Sequence, residues 1–471
     1  MSNVNRRKFL LGSGMGLVGA ASGLGSLVSS KAWAADTSGY KALVCIFLKG
    51  GMDHADTVLP HDQASYDQLE ALRPNLMASY RGGPSETSRD ISNLLELAPD
   101  NAADFGSRRF ALAPQMPEMR DMFEAGDMAI IGNVGPLLAP TNRESFEARS
   151  VPLPKRLFSH NDQQSTWMSL NVEGTRVGWG GRFADAIIEA DPTTNPLYVA
   201  VTTGGSDVFL AGEKGRQFAA AIGNFSRDLN ITEIDYLLGG DNTRYDDARR
   251  LIQDFYQRTD FGHDNLMKRD FAKISADGVE NVRNFAAAIA GTDLQFPDTL
   301  LGGQLKTVAE TIAAAPTLGV SRQIFYVSLG GFDHHGTQVA GLPPLQRQIS
   351  EAVAAFRQTM IDNGMWDRVT VFTGSDFGRT TIDNGDGTDH GWGAHHFVMG
   401  GAVNGKRIYG DLPPADTSLP VYTPTGGRLI PTLAIEQYAA TLGRWFGLNE
   451  SELNIALPNR AAFEMSDLGF L

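Results

Sequence analysis

Three apolar runs, each closing on glycine or serine and then an aspartate, constrain this chain more than any other feature. Ala42 to Leu48 leads into Lys49-Gly50-Gly51-Met52-Asp53, Gln323 to Leu329 into Gly330-Gly331-Phe332-Asp333, and Arg368 to Thr373 into Gly374-Ser375-Asp376. Runs without polar alternation read as strands covered on both faces. Met128 to Asn133 and Leu197 to Val201 read as two more strands, with helical patterns between, over Pro343 to Asn363 and Pro431 to Phe446. Strands alternating with helices predict an α/β fold, a doubly wound, mostly parallel sheet with helices on both faces. Asp241 to about Ala315 is mainly helical and charged, the pattern of a cap or side layer that Pro316 stops; residues 75–110 read as an irregular insertion.

The N-terminus has a different chemistry. Arg6-Arg7 opens a basic segment, an uncharged stretch rich in Gly and Ala follows from Phe9 to Ser30, and Ala32-Trp33-Ala34 supplies small-x-small. This is the pattern of a twin-arginine signal peptide over residues 1–34, cleaved after Ala34. The remainder, 35–471, then forms one domain, exported by the twin-arginine machinery to the periplasm or the medium, with no stable membrane span after cleavage. Cleavage removes Arg6, Arg7, Lys8 and Lys31 and no acid, so a chain already at net charge −14 becomes more acidic. Such a balance argues against a nucleic-acid partner, which needs a basic face. A single cysteine, Cys45, rules out an intramolecular disulfide framework and any multi-thiolate metal site. Gly14-Met15-Gly16-Leu17-Val18-Gly19 matches a dinucleotide fingerprint but lies in the signal segment with no strand before it. Gly400 to Lys406 mimics a phosphate loop, but Arg407 stands where Ser or Thr is required.

Chemistry is therefore expected at the strand ends. In open α/β sheets the carboxyl edge of the strands is where ligands bind, and Asp53, Asp333 and Asp376 should all arrive there. Converging carboxylates repel one another, so a cation is their natural partner. The histidines are clustered in the same places: His54 after Asp53, His334 and His335 after Asp333, and His390, His395 and His396 in one short stretch. Imidazole with carboxylate points to a divalent metal, one ion or two, with zinc, manganese, magnesium and calcium all admissible.

Phe332-Asp333-His334-His335-Gly336-Thr337-Gln338, Ser375-Asp376-Phe377-Gly378-Arg379-Thr380 and Asp389-His390-Gly391 resemble the exported bacterial domain-of-unknown-function family numbered 1501. Leu48 to Asp53 and Phe158-Ser159-His160-Asn161-Asp162-Gln163 fit the same pattern. That family is similar to the alkaline phosphatase and sulfatase superfamily, whose members bind two metals at the strand ends. The resemblance implies an alkaline phosphatase-like domain, with Asp333, His335 and His390 on a first metal and Asp53 and Asp376 on a second. Phe377 stands where the superfamily has histidine, so the second half-site would recruit His54, His160 or His396, or be weak or absent. The implied nucleophile is a hydroxyl at a helix N-terminus, and Ser159 is best placed; His160 and Arg379 complete the candidate catalytic set, Arg379 as an anion clamp. A formylglycine sulfatase is disfavoured, because Ser150-Val151-Pro152-Leu153-Pro154 lacks the arginine such a motif needs. The expected activity is metal-dependent hydrolysis of a phosphate or sulfate ester, or of a related anionic small molecule or glycan. The alternative is a non-catalytic exported protein that binds a glycan or partner protein on the same scaffold.

Overall fold

The computed structural model describes residues 34–220, 266–291, 293–464 and 467–471. The twin-arginine segment and the first part of the expected helical insertion lie outside the described residues.

A nine-stranded sheet organises the domain. Its strands are β1 (Lys41–Leu48), β2 (Met128–Gly135), β3 (Ala200–Thr202), β4 (Phe218–Ala219), β5 (Arg322–Leu329), β6 (Val369–Ser375), β7 (Ala394–Met399), β8 (Ile408–Gly410) and β9 (Leu433–Ala434). Across the sheet the order is β8-β2-β7-β6-β1-β5-β3-β4, with β9 also paired to β2. Every pairing is parallel except those of β7, which runs against both β2 and β6. A hairpin, Arg379–Asp383 with Thr388–His390, turns the chain back after β6 and accounts for that reversal.

Successive side chains on a strand point to opposite faces. Ala42 through Leu48 are all fully buried, so both faces of β1 are covered. The apolar runs thus form the expected mixed, mostly parallel α/β sheet. Register then decides where the functional loops go. Leu48 pairs with Leu329 on one side and Ser375 on the other. Strands β1, β5 and β6 therefore end level, and the loops bearing Asp53, Asp333 and Asp376 leave from one edge.

Four helices bear on the site: α1 (His160–Ser169), α2 (Leu300–Ala313), α3 (Gln338–Asp362) and α4 (Ile435–Phe446). Residues of α2 such as Leu301, Leu305, Val308 and Ile312 are buried, so this stretch of the expected insertion is a layer of the core. Pro316 lies inside a short helix, Ala315–Leu318, that follows it directly. Helix α3 begins five residues before Pro343, and its first residue, Gln338, is fully buried. The 75–110 region is less irregular than its composition suggests: Pro74–Gly82 is helical, and Leu95–Glu96 and Phe110–Leu112 join Val58–Pro60 in a small antiparallel sheet. No described helix is long and apolar enough to cross a membrane.

Candidate metal centre

The three loops close tightly on one another. Gly50 and Gly51 have φ of +113° and +86°, a region that favours glycine. A Cβ at Gly50 would lie 2.5 Å from the Asp333 backbone nitrogen, and one at Gly51 would meet the Phe377 ring at 2.6 Å. The glycines after β1 therefore let its loop lie directly against the loops after β5 and β6.

Over these loops stands a group of imidazoles. His160 Nε2 lies 3.1 Å from His390 Nε2 and 3.4 Å from Asp333 Oδ2. His390 Nε2 is also 3.2 Å from Asp333 Oδ1 and 2.8 Å from His335 Nε2. Donor atoms of His160, Asp333 and His390 all fall within 4.8 Å of one another, close enough to share one ion.

The opposite nitrogen of each ring settles what these atoms can do. His160 Nδ1 meets Asp376 Oδ2 at 2.6 Å, His335 Nδ1 meets Asp389 Oδ1 at 3.2 Å, and His390 Nδ1 meets the Phe158 carbonyl at 2.7 Å. All three partners are oxygens that only accept, so in neutral rings the proton sits on Nδ1. Three Nε2 lone pairs are thereby turned toward one another and toward the Asp333 carboxylate. Without a cation this is a nest of acceptors; with one it is a ligand set held by outer partners, as metal-bound histidines usually are. The residues fit a divalent ion.

The supports are built in at some backbone expense. Phe158 has φ of +71°, unusual for a bulky residue, and that conformation accompanies the carbonyl directed at His390. Asp376 is fully buried, and its Oδ2 also accepts from Gln164 Nε2 at 2.8 Å and Gly50 N at 3.2 Å. Gln164 is four residues after His160 on α1, hence on the same helix face. Arg379 is fully buried and donates from Nη1 to Asp333 Oδ1 at 2.8 Å.

The charge balance follows. The hydrogen bond that His160 donates to Asp376 outweighs burial and raises the His160 pKa. Burial lowers that of His390. Burial also opposes ionisation of Asp333, yet the Arg379 hydrogen bond and charge prevail and hold its pKa below the usual carboxylate value.

Several residues singled out in the sequence are placed elsewhere. Asp53 is only 3% exposed and is clamped bidentately by Arg73, so its oxygens do not face the imidazoles. His396 is buried within β7, its Nδ1 3.3 Å from Thr373 Oγ1 and its ring stacked on Tyr438. His54 is buried with its ring 5.0 Å from that of His395. Burial drives the pKa of His54 and of His396 down to about 3, keeping both neutral in the core. Ser159 precedes α1 as expected, but its hydroxyl donates to Asp162 Oδ2 at 2.8 Å. Arg379 is sealed from solvent and spends its guanidinium on Asp333, Thr388 and the Gly50 carbonyl, so it orients Asp333 and has no exposed face for a substrate anion. His160, by contrast, enters the donor set itself. The outer partners Asp389, Gln164 and the Phe158 carbonyl went unread; adjacency of Asp389 to His390 and the four-residue spacing of Gln164 from His160 are the signals that could have found the first two.

Residues 40–430 match the family model described as protein of unknown function (DUF1501). The chain belongs to the DUF1501 family. Solved structures similar to this DUF1501 chain include Ps i-CgsB in complex with k-i-k-neocarrahexaose, at 8% identity over 88% of this chain and 74% of that one (TM-score 0.36). The PsFucS1 sulfatase from Pseudoalteromonas sp. is similar at 10% identity over 91% and 73% (TM-score 0.34). The lipoteichoic acid synthase LtaP from Listeria monocytogenes is similar at 8% identity over 89% and 77% (TM-score 0.28). No curated protein matches the chain.

Proposed function

We propose that this chain is an exported, metal-dependent hydrolase of a phosphate or sulfate ester, or of a related anionic small molecule or glycan. His160, Asp333 and His390, with His335 beside them, would hold the ion. One observation carries the reading: three imidazoles with Nδ1 committed to oxygen acceptors and Nε2 aimed at a shared carboxylate. A divalent ion bound there would polarise an ester oxygen and offset the charge that develops on it.

The chain's own residues do the rest. Arg379 keeps Asp333 ionised and oriented, Asp376 fixes the His160 ring, and the Phe158 carbonyl fixes that of His390. The His335 and Asp333 side chains are 47% and 43% exposed, so a substrate can approach from one side. Few protein ligands with one open side are the pattern of a catalytic centre rather than a structural one. Arg6 and Arg7 support export by the twin-arginine route to the periplasm or medium. Replacing both with Lys should leave precursor in the cytoplasm, and undiminished export of that variant would refute the route.

A second reading has its own support. Ser159 is engaged with Asp162 and Arg379 is sealed, so two candidate catalytic groups are occupied. A non-catalytic protein using the same centre to bind an anionic glycan fits that observation. The two separate by metal analysis and turnover on the same sample, stripped with chelator and reloaded with zinc or manganese. Hydrolysis of a chromogenic phosphate or sulfate ester that falls about a hundredfold or more in His390→Ala establishes the enzyme. A bound ion without turnover across the panel establishes the binding protein. Absence of any ion in the reloaded wild type refutes the metal centre.

A further inference from the structure

Next to the imidazole group, under the same strand edge, lies a second set of charges with a different constitution. Asp53 Oδ2 accepts from Arg73 Nη1 and Gln338 Nε2, both at 2.7 Å. Its Oδ1 accepts from Arg73 Nη2 at 2.9 Å and from Ala55 N at 3.1 Å. A carboxylate offers about four lone-pair positions, and here all four are taken. Arg73 is 2% exposed and spends two further N–H groups on the carbonyls of Thr381 and Thr380, each at 2.8 Å.

The neighbouring carboxylate is closed in the same way. Asp56 accepts from Arg89 Nε at 2.5 Å, Tyr80 Oη at 2.6 Å and Gln338 Nε2 at 2.9 Å. Two buried carboxylates thus face two buried guanidiniums. A planar guanidinium and a metal ion compete for the same carboxylate lone pairs, and a guanidinium cannot deprotonate to make way. Asp376, the other acid expected to bind a second ion, commits its Oδ2 to His160, Gln164 and Gly50; its Oδ1 is buried without a hydrogen-bond partner among the described residues, a single open oxygen. With Asp53 closed by Arg73, one free carboxylate oxygen is too few protein ligands for a second metal.

We propose that Arg73 supplies at this edge the fixed positive charge that a second ion would otherwise provide, so the centre takes one divalent ion per chain. The inference rests on the metal reading above and narrows it. Arg73 stands at the junction of the helices Gln63–Leu72 and Pro74–Gly82, and Arg89, which closes Asp56, comes from the 75–110 region, which gives that region a role beside the site.

The test is metal stoichiometry on the mature chain, stripped with chelator, reloaded with zinc or manganese and assayed by mass spectrometry. The wild type should hold one ion, Asp53→Asn should still hold one, and His390→Ala should lose it. Because Asp53→Asn leaves a buried guanidinium unpaired, the charge-neutral double variant Arg73→Gln/Asp53→Asn is measured alongside it and should also hold one. Two ions in the wild type, falling to one in either Asp53 variant, would overturn the proposal while leaving the metal reading intact. Loss of the single ion in the double variant, with circular dichroism unchanged, would overturn it as well. No ion in the wild type would instead bring down the metal reading itself.

Discussion

Two groups of histidines in this molecule share a residue type and have opposite fates. His160, His335 and His390 stand partly exposed over the strand edge, each with a ring nitrogen on an oxygen acceptor. His54, His395 and His396 are buried within or beside β7 and have no carboxylate partner among the described residues. His390, His395 and His396 share one short stretch, yet the first joins the open group and the other two, five and six residues on, join the buried one. What separates them is the neighbour at Nδ1. A carboxylate or carbonyl there holds an imidazole ready to donate its other lone pair, whereas the Asn133 N–H on His395 Nδ1 and the Thr373 hydroxyl beside His396 Nδ1 belong to a buried wall that only keeps the rings neutral. The carboxylates divide in parallel: Asp333 is open on one side, while Asp53 is closed by Arg73.

The comparison is broken or sharpened by mutation, and the largest effect is expected on the closed side. Arg73→Met strands Asp53 as an unpaired buried charge and should cost about 3–5 kcal/mol of stability by urea unfolding. A loss below about 1 kcal/mol would mean the pair is not truly sealed. On the open side, Asp376→Asn keeps its shape but weakens the anchor of His160. Metal affinity in a chelator competition should drop about 10- to 100-fold. Unchanged affinity would remove His160 from the ligand set.

The buried histidines predict an acid limb. The folded-state pKa of His54 and of His396 is about 3, below the ordinary histidine value of 6.5, because burial disfavours the charged ring. Between those values the unfolded chain binds more protons than the folded one, so stability is full above pH 6.5 and is lost as pH falls toward 3. The slope should be about 1.4 kcal/mol per pH unit for each histidine. His396→Leu should flatten the acid limb of a melting-temperature profile, and an unaltered profile would refute its neutral burial. The smallest change is expected for Ser159→Ala, which removes one hydrogen bond to Asp162 and should cost about 1 kcal/mol or less. A hundredfold fall in turnover from that variant, if the wild type hydrolyses an ester, would restore Ser159 as nucleophile.

How far the sequence reached can be followed residue by residue. The strands at 41–48, 322–329 and 369–375 were legible because continuous apolar runs have one stable use, burial between two layers. The gathering of Asp333, His335 and His390 followed from strand ends and the motif resemblance. The helical pattern over Pro343 to Asn363 falls short at its start, since helix α3 opens at Gln338. That missed turn carries the amide that bridges Asp53 and Asp56.

The sequence by itself determined the mostly parallel sheet and the edge at which its acids and imidazoles collect, because apolar periodicity and strand-end loops are local properties. Only the tertiary structure decided which acid stays open and which is neutralised. Arg73 and Asp53 are 20 residues apart, Arg379 and Asp333 are 46 apart, and His160 and Asp376 are 216 apart. No local pattern encodes such pairings. They arise when level strand ends press distant loops together, and a buried charge then keeps whichever partner the packing brings within reach.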